Sequence, residues 1–404
     1  MYSTIKNKYR LLKYKAGLAA RLKYFYCSPF KSDYQKFRDY IKLNIRKLKL
    51  GYKLFDKVTK GKKTKLNSYN DLKKLEFEFS KELVKNDLFL YPSYIFYANY
   101  ATVILTYACN YRCDHCYQTN FDHKLLELDR IELFIDKLKE VNIRQISFFG
   151  GEVFLYMDHL CKAIKLAQKK GMRVFGMTTN GFWCNDPKKA WEYMQRLKDA
   201  GYNGFITISI GIGHRKYGIN EESFLKLKDI SKDVFGWNVF DFQIEEVSRC
   251  DYEKSRKKFS KLMEHHQSRW RQIIPIGAGK KYKDEIIREN KGKFEYPDNL
   301  YCTMLKLLPD ERISFCAGPA VMKEEYTIAK LSENLSLEEV FMKEHRHLML
   351  LKRFKGKELY DFLIKEKKIE KEDYPFICHL CVHLSKNPEL VDFMYEKMIK
   401  NRAM

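Results

Sequence analysis

The run Leu105-Thr106-Tyr107-Ala108-Cys109-Asn110-Tyr111-Arg112-Cys113-Asp114-His115-Cys116-Tyr117 follows an apolar stretch that reads as a strand, and it gathers three cysteines within eight residues. Thiols this close in sequence cannot form unstrained disulfides with one another, but they can wrap a single metal centre where a strand gives way to a loop. Three thiolates on a four-iron cubane leave one iron open, so the centre is chemical. Zinc competes for the same thiolates. Closed zinc sites usually take four ligands in two separated pairs, and Cys-x3-Cys-x2-Cys fits that spacing poorly.

Outward from this loop the chain alternates short apolar runs with amphipathic stretches. Strands are expected at Val103 to Thr106, Gln145 to Phe149, Arg173 to Thr178, Gly204 to Ile210, Phe240 to Val247 and Gln272 to Ile276. Helices are expected near Asp129 to Val141, Asp158 to Lys169, Pro187 to Ala200, Glu222 to Val234 and Tyr252 to His266. Near-continuous apolar strands alternating with helices predict a parallel sheet with helices outside, curled toward a barrel by right-handed crossovers. The expected fold is therefore α/β, a partial (β/α)6 parallel barrel.

Residues 1–95 read differently. Phe37, Tyr40, Ile41, Ile45 and Leu48 recur at helical spacing among lysines, and a Lys/Gly loop at 60–65 separates them from a second helical pattern at 70–86. A basic helical extension of this kind packs on its neighbour, binds a partner or lies on a membrane surface. The expected organisation is 1–95 extension, 96–285 core and 286–404 a small Cys-rich domain.

Composition bounds the rest. With 404 residues, 45% of them hydrophobic, the chain can bury a large core and is not a disordered one. No long apolar run or signal core is visible, so a reducing, cytoplasmic location is expected, in which the 11 cysteines serve metal or redox chemistry. Seven fall into groups; Cys27, Cys161, Cys184 and Cys250 are scattered, and Cys161 reads as core. The net charge of +24 attracts polyanions, acidic peptides or anionic surfaces, or reflects only the base composition of the coding DNA.

Further motifs fall where strands end, the position at which parallel sheets place ligands. Gly150-Gly151-Glu152 follows the second strand, Thr178-Thr179-Asn180-Gly181 the third, and Ser209-Ile210-Gly211-Ile212-Gly213-His214 the fourth; Gln243 and Glu245 lie on the fifth. Taken with the cysteines, the chain resembles the radical S-adenosylmethionine (radical SAM) enzymes, whose signature is Cys-x3-Cys-x-aromatic-Cys with His115 in the aromatic place. The resemblance implies that Cys109, Cys113 and Cys116 hold a [4Fe-4S] cluster whose open iron binds SAM. One electron then splits the sulfonium, and a 5′-deoxyadenosyl radical takes a hydrogen atom from the substrate. It also implies that Gly150, Gly151 and Glu152 contact the methionyl amino group. His115 is a further candidate cofactor contact, the hydroxyl and amide side chains of Thr179, Asn180 and Ser209 suit ribose hydroxyls, and Gln243 and Glu245 are candidates for the adenine side. Ordinary helix capping is the alternative for Thr179, Asn180 and Ser209, and a buried polar network explains Gln243 and Glu245 equally well. The family's fourth strand often reads Ser-x-Asp-x-x-His; here Gly211 replaces the aspartate, while His214 is kept as a candidate substrate contact. Pro275-Ile276-Gly277-Ala278-Gly279 resembles a Pro-x-Gly-Arg-Ala element but lacks its arginine.

A second set comprises Cys302 and Cys316, flanking a hairpin with Pro309-Asp310 at its turn, and Cys378 and Cys381 near the C-terminus. Four thiolates suit zinc or a cubane equally. The resemblance to the Twitch and SPASM extensions of radical SAM enzymes implies one auxiliary [4Fe-4S] cluster, with Glu311 standing where a glycine usually falls. Tyr301, beside Cys302, is a second candidate substrate contact, and Asp373 and Tyr374 precede the last pair.

The resemblance implies a peptide substrate most readily, ribosomally made and modified by cross-link, thioether, epimerisation or oxidation. A sugar, nucleoside or amino acid is the small-molecule alternative, and a flavodoxin or ferredoxin is the implied electron donor. The basic extension suits an acidic leader peptide or a peripheral membrane contact. A zinc protein binding nucleic acid through lysine-rich helices accounts for the charge, but leaves the three-cysteine loop unexplained.

Overall fold

The computed structural model describes residues 101–140, 143–218, 221–265, 267–289, 305–314, 327–333, 336–337, 340, 356–370, 377–394 and 397. All lie in the second of two units, Met1–Ile95 and Phe96–Met404. The basic helical extension expected over 1–95 falls outside them, as do Tyr301, Cys302, Cys316, Asp373 and Tyr374.

The β/α series begins with β1 (Ala101–Ile104), α1 (Leu128–Glu140), β2 (Gln145–Phe149), α2 (Met157–Lys169), β3 (Arg173–Thr179) and α3 (Pro187–Asp199). It continues with β4 (Phe205–Gly211), α4 (Glu221–Phe235), β5 (Phe240–Glu246), α5 (Arg249–Lys258), α6 (Ser260–His265) and β6 (Gln267–Gln272). Helices sit between successive parallel strands because each strand must return to the same end before pairing again. Local chemistry sets their ends: Asp186 caps α3 by accepting from the Lys188 and Lys189 amides, with Pro187 at the first helical position, and Ser248 caps α5 through the Asp251 amide.

Sheet order is β6-β5-β4-β3-β2-β1 and then, past β1, β7 (Leu305–Leu307), β8 (Arg312–Ser314) and β9 (Ala329–Lys330). β7 pairs parallel with β1, Ala101 opposite Leu305 and Val103 opposite Leu307, while β7–β8 and β8–β9 are antiparallel. The fold is thus α/β with a mostly parallel sheet, as expected. The hairpin across Pro309-Asp310 is present, and it continues the core sheet through β7. β1 is buried along its whole length, with Thr102 and Ser147 sharing a 3.0 Å hydroxyl contact between neighbouring strands. Beyond the sheet lie α7 (Lys283–Glu289), α8 (Gly356–Lys365), α9 (Ile377–Lys386) and α10 (Pro388–Met394).

Two expectations are corrected. The sixth strand is Gln267–Gln272, not Gln272 to Ile276; the apolar run after it leaves the ladder and enters a short 3-10 turn at Gly277–Tyr282. The long helix expected at 252–266 breaks at Phe259 into α5 and α6, Phe259 itself being buried.

Candidate active site

β1 delivers the cysteine loop to the end of the sheet. Two segments hold its backbone through three hydrogen bonds: the Gly151 amide donates to the Thr106 carbonyl at 2.8 Å, the Glu152 amide to Ala108 at 2.8 Å, and the Ala278 amide to Cys116 at 2.9 Å. A Cβ on Gly151 would overlap the Ala108 carbonyl. The glycine therefore serves this approach of two loops. The third contact places the Pro275–Gly279 element against the cysteine loop.

Cys109, Cys113 and Cys116 are each half-buried, and none is in a disulfide. Cys113 and Cys116 close a turn through the Cys116 amide and the Cys113 carbonyl at 3.0 Å. The Tyr111 amide points at Cys109 Sγ at 3.4 Å, and Asn180 Nδ2 lies 3.8 Å from the same sulfur. Burial pushes all three thiols up, Cys116 to about 11, and negative charge on neighbouring sulfurs pushes further at Cys113 and Cys116. Three thiolates sharing one cradle repel one another unless a cation lies among them. That donor set fits an iron–sulfur cluster with an open position.

Glu152 sits beneath the loop with no exposed surface. One carboxylate oxygen accepts from the Phe154 amide at 3.0 Å and the Thr179 hydroxyl at 2.9 Å, the other from the Asn180 amide at 2.6 Å. Burial raises its carboxyl to about 7 against the pull of those donors. Thr179 Oγ1 in turn accepts from the Gly181 amide and Trp183 Nε1, both at 3.1 Å, and Asn180 Nδ2 donates to Asn110 Oδ1 at 2.9 Å. Glu152, Thr179 and Asn180 form one network linking the ends of β2 and β3 to the cysteine loop.

On the other side, His115 Nε2 lies 2.7 Å from the Glu245 carboxylate, and the His214 ring is centred 5.2 Å from that of His115. Burial lowers His214 to about 4, so it is neutral. Burial works to raise the Glu245 carboxyl, but the adjacent His115 outweighs it and holds the group well below the usual carboxylate range. Gln243 Nε2 donates to Glu245 at 2.7 Å, and Ser209 is buried opposite Gln243 in the β4–β5 register.

Some of these contacts leave no trace in sequence. Asp114 is clamped by Lys216 at 2.9 Å and Lys281 at 2.7 Å, from the loops after β4 and β6, and its carboxyl falls to about 2. Tyr111 stacks on Tyr217 at 3.8 Å, whose hydroxyl accepts from the Arg112 amide at 2.5 Å. Gln118 donates to the Tyr107 carbonyl at 2.5 Å and folds the loop back on itself. These partners stand far apart in the chain, and no spacing announces them.

Residues 103–229 match the sequence profile described as the Radical SAM superfamily. The chain carries a radical SAM domain. Over 328 residues it is 26% identical to YydG of Bacillus subtilis (strain 168), a protein ascribed to peptide biosynthesis, covering 75% of this chain and 97% of that one. It is also 26% identical over 223 residues to GTP 3',8-cyclase of Campylobacter jejuni (strain RM1221), covering 48% of this chain and 67% of the cyclase. Among solved structures it is similar to Streptococcus suis SuiB bound to precursor peptide SuiA, with a TM-score of 0.39, 11% identity, and 69% and 70% of the two chains covered. Native anSMEcpe with bound AdoMet and Cp18Cys peptide gives a TM-score of 0.43 at 12% identity, with 60% and 79% covered. The radical SAM domain implies a [4Fe-4S] cluster and SAM.

Of the second cysteine set, Cys378 and Cys381 lie on α9, half-buried and buried. Their spacing of three puts both thiols on one helix face.

Proposed function

We propose that the chain is a radical SAM enzyme that modifies a ribosomally made peptide. The observation that carries the enzymatic part is the loop of three half-buried thiols packed on Gly151 and Glu152 at the end of a parallel sheet. Cys109, Cys113 and Cys116 would hold the cluster. When bound, the cluster supplies an electron and an open iron to SAM, from which the 5′-deoxyadenosyl radical arises. Glu152 fixes Asn180 beside Cys109, and the Asn180 amide group orients the loop through Asn110. His214 stays neutral and buried beside His115, facing the same end of the sheet.

The peptide reading rests on the YydG likeness, which runs through nearly all of that protein, whereas the likeness to the nucleotide cyclase spans about half of this chain. A small-molecule substrate is the second reading, favoured by the likeness to GTP 3',8-cyclase. The finer assignment is a partial barrel with a Twitch-like extension, in which Cys302, Cys316, Cys378 and Cys381 hold one auxiliary cluster. Tyr301 and His214 are the candidate substrate contacts, and a flavodoxin or ferredoxin is the candidate electron donor.

The test is iron and sulfide content with EPR of the anaerobically reconstituted, dithionite-reduced protein, with and without SAM. About eight irons and a component that shifts with SAM are expected, and about four irons plus zinc would make the second site structural. Cys113→Ala is expected to abolish 5′-deoxyadenosine formation; unchanged formation would sink the cluster assignment. Mass analysis of short peptides encoded beside its gene, after incubation with SAM and reductant, tests the substrate class. A mass change on a nucleoside or sugar instead would overturn the peptide reading.

A further inference from the structure

The carboxylate absent at Gly211 has a counterpart one strand away. Gly211 pairs with Glu245 across the β4–β5 ladder, and its φ of 133 lies where L side chains rarely go. A Cβ there would overlap the Glu245 carbonyl. Position 211 therefore takes no side chain, while Glu245, 12% exposed, reaches His115 Nε2 at 2.7 Å. Two residues on, a Cβ at Gly213 would overlap His115 Nδ1, a buried nitrogen with no hydrogen-bond partner. The His115 ring is thus wedged, with bare backbone on one edge and a carboxylate on the other. His115 lies between Cys113 and Cys116, whose turn it must follow.

We propose that Glu245 is a positioning residue: it holds His115, and through it the Cys113–Cys116 turn, where SAM binding requires them. This rests on the radical SAM reading above and adds a determinant that lies outside the cysteine and Gly-Gly-Glu motifs. The geometry discriminates between a hydrogen-bonded pair and a mononuclear metal site. Ligand atoms of His115, His214 and Glu245 lie within 4.8 Å of one another, but the His115–Glu245 separation of 2.7 Å is that of a strong hydrogen bond. Two atoms bound about 2.1 Å from one tetrahedral metal stand about 3.4 Å apart. Gln243, donating to the other carboxylate oxygen at 2.7 Å, fixes the acid as an outer partner fixes a metal-bound histidine.

The experiment uses the full chain, reconstituted anaerobically, with iron content, the SAM-induced EPR shift and SAM affinity by equilibrium dialysis as readouts. Glu245→Leu is expected to keep the thiol-bound iron while weakening SAM binding about 10- to 100-fold, the range that follows from losing a hydrogen bond to a charged group. Glu245→Gln still accepts from His115 and is expected to recover most of that loss. His115→Phe/Glu245→Leu replaces the buried pair by apolar groups; it should regain wild-type unfolding behaviour without regaining SAM affinity. Wild-type SAM affinity in Glu245→Leu, or full recovery in the double variant, would overturn the proposal by leaving the pair a purely structural contact. So would a divalent metal beyond the cluster iron that disappears in Glu245→Leu. A wild type that holds no cluster at all overturns the underlying reading, which the iron analysis detects separately.

Discussion

Residues near the cysteine loop act through what surrounds them. His214 is the clearest case, being 5% exposed and facing His115, Glu245 and the Tyr111 ring. Its folded pKa of about 4 lies below the value near 6.5 of an unfolded chain, so between those limits the unfolded chain binds the extra proton. Its contribution to stability is therefore complete above about pH 6.5 and is lost as pH falls toward 4. In the iron-free protein, urea unfolding at pH 5 and pH 7 should show His214→Gln gaining about 2 kcal/mol less from the rise in pH than the wild type does. Equal gains would mean that the imidazole is charged in the fold or already solvated. Glu152 was legible by motif, but its surroundings were not: sequence suggests an acceptor for the ammonium of SAM, and the fold occupies both oxygens with three of the chain's own donors.

Elements were legible where burial imposed a simple pattern. β1 to β5 are apolar runs, and their strand ends position the cysteines, Gly150 to Glu152, Thr179, Asn180 and Ser209 together. β6 was missed because Gln-Ser-Arg-Trp-Arg-Gln is an edge strand with no apolar run, while the neighbouring Ile273-Ile274-Pro275-Ile276 carries the hydrophobicity and a proline that cannot donate to a ladder. At the β7–β8 turn the expected glycine site does require a glycine-like backbone. Glu311 has φ 66, its amide donates to the Leu308 carbonyl at 2.9 Å, and its carbonyl accepts from Leu331 at 2.9 Å. A non-glycine residue there costs about 1–2 kcal/mol, against about 0.5–1 kcal/mol for the added freedom of glycine in the unfolded chain. Its carboxylate lies 3.6 Å from Arg130 in an exposed pair that contributes little. Glu311→Gly is expected to hold or raise stability by up to about 1 kcal/mol, and Glu311→Val to lower it by about 2 kcal/mol. A loss above about 1 kcal/mol on glycine substitution would show that the Arg130 contact outweighs the backbone strain.

At the scale of the molecule, β7 joins the C-terminal third to the core sheet. β7 covers the open side of β1, and Leu305, Leu307 and Leu308 have no exposed surface. From the hairpin, Arg312, 8% exposed, binds Asp310 at 2.8 Å and reaches the Tyr107 hydroxyl at 3.4 Å, two residues from Cys109. A division near residue 286, natural from the cysteine spacing, would make the last third dispensable for the first cluster. The pairing argues otherwise. A chain ending at Glu289 strips three buried leucines from the core, each worth about 1.5–3 kcal/mol. It also leaves one edge of β1 unpaired in an apolar setting and the Tyr107 hydroxyl without Arg312. The sum rivals the about 5–15 kcal/mol by which whole domains are stable. The truncated chain should therefore aggregate or lose its cooperative unfolding, and it should fail to hold iron on Cys109, Cys113 and Cys116. A soluble truncated chain that unfolds cooperatively, binds about four irons and shows a SAM-dependent EPR shift would establish an independent core and make the β1–β7 pairing an accessory contact.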